Sequence, residues 1–161
     1  MERKNAWLSY GEADETAMEK LAKDYRAFLD AGKTERECVT ELVREAEANG
    51  YVNLETKLAA GEKIQPGDKV YAVGMKKIMT LFHVGQEPLE KGMNILGAHI
   101  DSPRLDVKQN PLYEDTDLAY LDTHYYGGVK KYQWVAIPLA IHGVIVKKDG
   151  SVVDVVIGED E

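Results

Sequence analysis

Hydrophobic and polar positions recur along this chain with two periods, and the change from one to the other divides it. From residue 13 to 31, Met18, Leu21, Tyr25, Phe28 and Leu29 recur at spacings of three and four with charges between them. That is the period of an amphipathic helix. Gly32 follows the last of these positions and is expected to close the helix as its C′ residue. Thr34-Glu35-Arg36-Glu37 then has the spacing of a capping box, with Thr34 as N-cap and Glu37 at the third helical position. The helix it opens carries Cys38, Leu42, Val43 and Ala46 on one side and ends at Asn49-Gly50. Two helices ahead of any long strand predict a helical layer covering a sheet.

The period then shortens. Residues 62–68 contain Pro66-Gly67 and read as a loop. Val70–Val73 and Ile78–Val84 read as two strands of an antiparallel hairpin around residues 74–77. After a loop over 85–92, the apolar run Met93-Asn94-Ile95-Leu96-Gly97-Ala98 predicts a buried strand that ends at His99. This order predicts an α/β fold, a mixed sheet with covering helices. Beyond Leu105 no helical period persists, while Tyr, Val, Ile and Thr become dense. Val144-Ile145-Val146, Asp149-Gly150 and Val152–Ile157 form a hairpin signal. A boundary near 105 therefore separates an α/β part, 1–104, from a β-rich lobe, 105–161. The chain shows no internal repeat and no low-complexity segment.

Length and charge narrow the function classes. A chain of 161 residues holds one ordinary core, or one core and a partial second lobe. The net charge of −8 argues against a nucleic-acid or anionic-membrane surface. No run approaches the roughly 18 apolar residues of a membrane span. The stretch Met1–Trp7 lacks the apolar core of a signal peptide. The single cysteine, Cys38, excludes an intrachain disulfide and sits on an apolar helix side, as a small core residue would. A reducing cytoplasm is the expected setting.

The candidate chemistry lies in His99-Ile100-Asp101-Ser102-Pro103. A His and an Asp two residues apart on an extended backbone present an imidazole and a carboxylate on one side. In open α/β sheets the carboxyl ends of strands are where sites form. A neutral imidazole is a common metal ligand, and a neighbouring carboxylate can orient it. The other histidines carry less. His83 and His142 lie in apolar strands and are expected to be satisfied core or edge residues. His124, in Thr123-His124-Tyr125-Tyr126-Gly127-Gly128, sits among polar tips beside a glycine pair that reads as a turn or hinge. Lys130-Lys131 and Lys147-Lys148 read as solvated strand ends. No serine stands in a nucleophile elbow, and Cys38 has no evident base.

Gly97-Ala98-His99-Ile100-Asp101-Ser102-Pro103-Arg104-Leu105-Asp106-Val107-Lys108-Gln109-Asn110-Pro111 resembles the first metal motif of the aspartyl-aminopeptidase family of dinuclear zinc exopeptidases, its bacterial branch above all. The likeness extends through Thr123–Gly128 and Trp134 to Ala140–Gly150, and back to Lys33–Cys38 and Ala48–Tyr51. The resemblance implies a zinc-dependent aminopeptidase acting on peptides. It places one zinc ligand on His99 and gives the catalytic role to Asp101, the carboxylate that orients it. It further implies two zinc ions per active site, a homo-oligomer, an acidic residue preferred at the substrate's amino terminus, and residues 105–161 as the start of an inserted dimerisation lobe. The family's bridging Asp and its Glu-Glu pair lie downstream of the His-x-Asp, and no Glu-Glu pair occurs in this chain. The resemblance thus implies the amino-terminal third of an enzyme. The rival expectation is a non-catalytic α/β interaction module with His99 and Asp101 as a structural pair.

Overall fold

In a computed structural model, residues 3–159 are described. Met1, Glu2, Asp160 and Glu161 lie outside them, and with them the outermost residues of both terminal stretches. The chain divides into two units, Met1–Gly97 and Ala98–Glu161.

The first unit opens with helix α1, Glu12–Ala31. Asp14 holds its start by accepting the Gly11 N–H at 3.0 Å. Glu12, Asp14 and Glu15 fill the first turn, where the helix dipole favours negative charge. Gly32 ends the helix as expected, donating its N–H to the Phe28 carbonyl at 2.9 Å. Its φ of −109° is not left-handed, however. Glycine is needed there for space, because a Cβ would lie 2.8 Å from the Cys38 Sγ and 3.2 Å from the Phe28 carbonyl oxygen. Of the predicted apolar stripe, Met18 and Phe28 are half-buried, while Leu21 and Tyr25 stay exposed.

Helix α2, Glu35–Ala48, starts with the predicted capping box. Thr34 Oγ1 accepts the Glu37 N–H at 3.3 Å, and the Glu37 carboxylate accepts the Thr34 N–H at 2.8 Å. Two of the orphan donors of the first turn are thereby satisfied reciprocally.

Three strands follow: β1 (Val52–Asn53), β2 (Lys69–Gly74) and β3 (Ile78–His83). They lie in the order β1-β2-β3. Val52 pairs parallel with Val70, and β2 pairs antiparallel with β3 from Lys69↔His83 to Gly74↔Ile78. The sheet is mixed, as the pattern predicts. Between β1 and β2 lies a short helix α3, Leu54–Ala59, capped by Asn53, whose Oδ1 accepts the Thr56 N–H. The periodicity did not signal it, since six residues are too few to show a period. The buried apolar residues come from α2 (Cys38, Val39, Ala46) and β2 (Val70, Tyr71). Cys38 is the small core residue expected, its S–H directed at the Gly32 carbonyl at 3.4 Å. His83 is exposed on the edge strand β3.

One expected element is not formed. Residues 93–98 belong to no helix or strand, and Ile95 and Leu96 are 81% and 98% exposed. A buried strand needs neighbours that take its N–H and C=O groups and cover its faces. No described strand pairs with this run, so its backbone and its apolar side chains stay in water. His99 and Asp101 therefore stand in an extended loop rather than at a strand end.

The second unit is β-rich, as expected. Strands β4 (Arg104–Asp115) and β5 (Leu118–Tyr126) form a long antiparallel hairpin. Thr116 (φ 54°) and Asp117 (φ 61°) form its two-residue turn, the positive-φ geometry that matches strand twist. The register runs from Arg104↔Tyr126 to Val107↔Thr123, then shifts before Leu112↔Leu121. Pro111 falls in that irregularity, where its missing N–H costs no ladder bond. After a four-residue helix α4, Lys131–Trp134, strands β6 (Ile141–Val146) and β7 (Val152–Ile157) form the hairpin read around Asp149-Gly150. His142 is satisfied, its Nε2 3.0 Å from Glu159 Oε1. Among the described residues no helix is long and apolar enough to cross a membrane.

Candidate functional site

The site is built at one end of the β4–β5 hairpin, in the loop that enters it. Pro103 precedes the first residue of β4, and Tyr126 is the last residue of β5, paired in register with Arg104. Gly127, at φ +75°, turns the chain away so tightly that a Cβ would lie 3.3 Å from the Pro103 Cα. The glycine pair is thus the turn expected, and it seats the end of β5 against the loop carrying His99 and Asp101.

Within that loop the imidazole is exposed and directed. His99 Nδ1 lies 2.9 Å from the Asp101 backbone oxygen and 3.4 Å from Asp101 Oδ1. A carbonyl oxygen only accepts, so in the neutral ring Nδ1 carries the proton and Nε2 keeps its lone pair. The side chain is 84% exposed, so that lone pair faces solvent. The geometry is that of a metal-binding histidine held in one tautomer by its second nitrogen.

Asp101 is held in turn. The Tyr126 hydroxyl donates to its Oδ2 at 2.6 Å. This bond, and next the Asp101 backbone N–H, hold the carboxyl below the usual aspartate range, with His99 and Arg104 adding to the effect and desolvation opposing it. Arg104 lies 4.2 Å over the Tyr126 ring and donates to Asp106 Oδ1 at 2.7 Å. An ionised Asp101 suits a group that stabilises a donor histidine.

The sequence reading singled out His99 and Asp101, and the structure brings them together. His124 stands apart: it is exposed, opposite Asp106 in the ladder, with Nδ1 3.4 Å from the Tyr125 carbonyl. The residue that reaches Asp101, Tyr126, is marked by no motif in the sequence. Its signal was present in the run of polar tips ending at Gly127-Gly128, but nothing local says which tip reaches Asp101.

A zinc ion fits His99 as one ligand. Tight zinc sites use three or four protein ligands, and no group of three or more His, Cys, Asp or Glu side chains able to hold a metal ion occurs among the described residues. His99, oriented by Asp101, would be one corner of such a site.

The family description that matches, aminopeptidase I zinc metalloprotease (M18), covers residues 28–160. The probable M18 family aminopeptidase 1 of Clostridium acetobutylicum is 60% identical over 160 residues, 99% of this chain and 34% of its own length. The crystal structure of aminopeptidase I from Borrelia burgdorferi B31 has a TM-score of 0.89 at 37% identity, covering 98% of this chain and 38% of that one. The M18-family aminopeptidase structure from Thermotoga maritima has a TM-score of 0.86 at 43% identity, covering 99% and 34%. The chain spans about a third of the length of the curated relatives it matches. With an oriented, metal-ready histidine and this degree of likeness over almost every residue, the chain belongs to the M18 family of aminopeptidase I zinc metalloproteases.

Proposed function

We propose that the full-length protein carrying this chain is a zinc-dependent aminopeptidase that removes residues from the amino termini of peptides. The observation that carries the reading is the His99 ring, fixed through Nδ1 and open at Nε2. His99 holds zinc, and Asp101 keeps its ring in the required tautomer. Zinc bound there supplies Lewis-acid polarisation of the scissile carbonyl and acidifies water for attack. The roles of His99 and Asp101 are to hold the metal and to orient its ligand.

The resemblance supports finer points: two zinc ions per site, a preference for acidic amino-terminal residues, a homo-oligomeric enzyme, and residues 105–161 as the beginning of a dimerisation lobe that follows an α/β part at 1–104. A single buried cysteine, in a chain without disulfides, supports a cytoplasmic setting. The rival interaction module is not favoured, since the relatives are aminopeptidases.

The test is made on the full-length protein with amino-terminal Asp, Glu and Leu chromogenic substrates, alongside its zinc content. Chelation should abolish turnover, Asp and Glu should be released faster than Leu, and His99→Ala should lose both zinc and activity. Asp101→Asn should fold and lose at least about tenfold in activity, the low end for an outer-shell partner. Chelator-insensitive turnover, or near-normal rates in His99→Ala, would overturn the reading.

A further inference from the structure

We propose that Tyr126 is a positioning residue of the zinc site, acting on His99 through Asp101; the proposal rests on the functional reading above. The Asp101 carboxylate has two oxygens, and the structure divides them. Oδ2 accepts the Tyr126 hydroxyl at 2.6 Å, which leaves Oδ1 as the oxygen facing His99 Nδ1 at 3.4 Å. A carboxylate on an exposed loop would otherwise turn about its last torsion, which is soft and two-fold. Anchoring one oxygen stops that rotation and holds the second as a negative charge 3.4 Å from Nδ1, beside the Asp101 main-chain oxygen that takes the Nδ1 hydrogen bond at 2.9 Å.

Tyr126 is itself placed by three independent features. It pairs in register with Arg104, the residue that begins β4. The Arg104 guanidinium lies over its ring at 4.2 Å, a contact favourable in its own right. Gly127 follows at φ +75°, where a side chain would be strained and its Cβ would press on Pro103 at 3.3 Å. The hairpin thus presents the phenolic hydroxyl to the loop at a set height, and the order of support runs from β-ladder to Tyr126, to Asp101, to His99. Removing a direct partner of a histidine ligand typically costs about 10–100-fold in metal affinity or activity, and a group that fixes that partner should fall at the low end of this range.

Tyr126→Phe tests this, because it removes the hydroxyl and keeps the ring over which Arg104 lies. In the full-length zinc-loaded protein, Tyr126→Phe should weaken zinc binding, read by competition with a chelator of known affinity, by about tenfold or more. It should lower kcat by a similar factor with KM within about twofold. The double variant Asp101→Asn/Tyr126→Phe decides the route: if Tyr126 works through Asp101, it is no worse than the poorer single variant. Additive losses, or unchanged zinc affinity and kcat in Tyr126→Phe, would overturn the proposal. So would a Tyr126→Phe protein that has lost its folded circular-dichroism signal, since Tyr126 would then serve the hairpin. A wild-type protein that neither binds zinc nor releases amino-terminal residues instead overturns the functional reading, and this proposal with it.

Discussion

Tyr71 donates a 2.7 Å hydrogen bond to Glu47 across 24 residues of sequence, tying the middle strand of the mixed sheet to helix α2. Tyr71 is 4% exposed, while Glu47 lies at the solvent side. Residues of these two elements make up the buried core of the first unit, so the bond pins them in one relative position.

Tyr71→Phe should therefore destabilise the chain by about 1–2 kcal/mol, the range for a hydrogen bond to a charged acceptor whose partner stays hydrated. Glu47 first, and burial second, push the Tyr71 hydroxyl above the ordinary tyrosine range. A raised folded value makes this contribution complete below the ordinary range and lost as pH rises through the folded value. Urea midpoints measured between pH ~8 and ~11 should fall with pH more steeply for the wild type than for Tyr71→Phe. Parallel curves for the two proteins would show that the bond does not form in solution.

Gly32→Ala should cost about 1–3 kcal/mol, because its Cβ would crowd the Cys38 sulfur and the Phe28 carbonyl. Adding Cys38→Ala should recover part of that loss by removing the nearest atom. Burial first, then the Glu37 and Glu35 carboxylates, raise the Cys38 thiol above its ordinary value. Alkylation of Cys38 near pH 8 should accordingly be more than tenfold slower in the folded chain than in denaturant. Equal rates would place the thiol at the surface.

The 161-residue chain by itself should release no amino-terminal residues from peptides, and should lose added zinc on dialysis. One imidazole and its orienting carboxylate fall short of the three or four ligands of a tight site. Elemental analysis after dialysis gives the check. Stoichiometric zinc retained by this chain would mean that residues beyond His99 complete a site within it.

The chain should also self-associate. The β4–β5 and β6–β7 pairs are two-stranded, with unpaired edges among the described residues. Ile145, Val146, Val156 and Ile157 on the second pair are each more than half exposed. Such edges and patches recruit further chains. Light scattering coupled to size exclusion should show species larger than a monomer at high micromolar concentration. A monodisperse monomer there would mean that these strands are protected in a way their exposure does not suggest.

What the sequence determined alone is whatever near neighbours decide. The Thr34–Glu37 capping box and the 74–77 turn each span four residues, and the Asp149-Gly150 reversal is a matter of local backbone preference. Each was legible because the partners are adjacent in the chain and their geometry is set before any tertiary contact forms. The mixed sheet and the β-rich second part followed from period and composition, and the family resemblance followed from His99-x-Asp101 and its flanks. The tertiary structure decided the rest. Met93–Ala98 has the composition of a buried strand, but composition cannot provide the neighbouring strands that a ladder requires, and in this chain the run stays exposed. The hairpin register, shifted at the irregularity that contains Pro111, brings Tyr126 rather than His124 to Asp101 across 25 residues. Side chains two apart share a face of a strand, so a register shift of two residues would have put His124 where Tyr126 stands. Only the folded pairing sets that register.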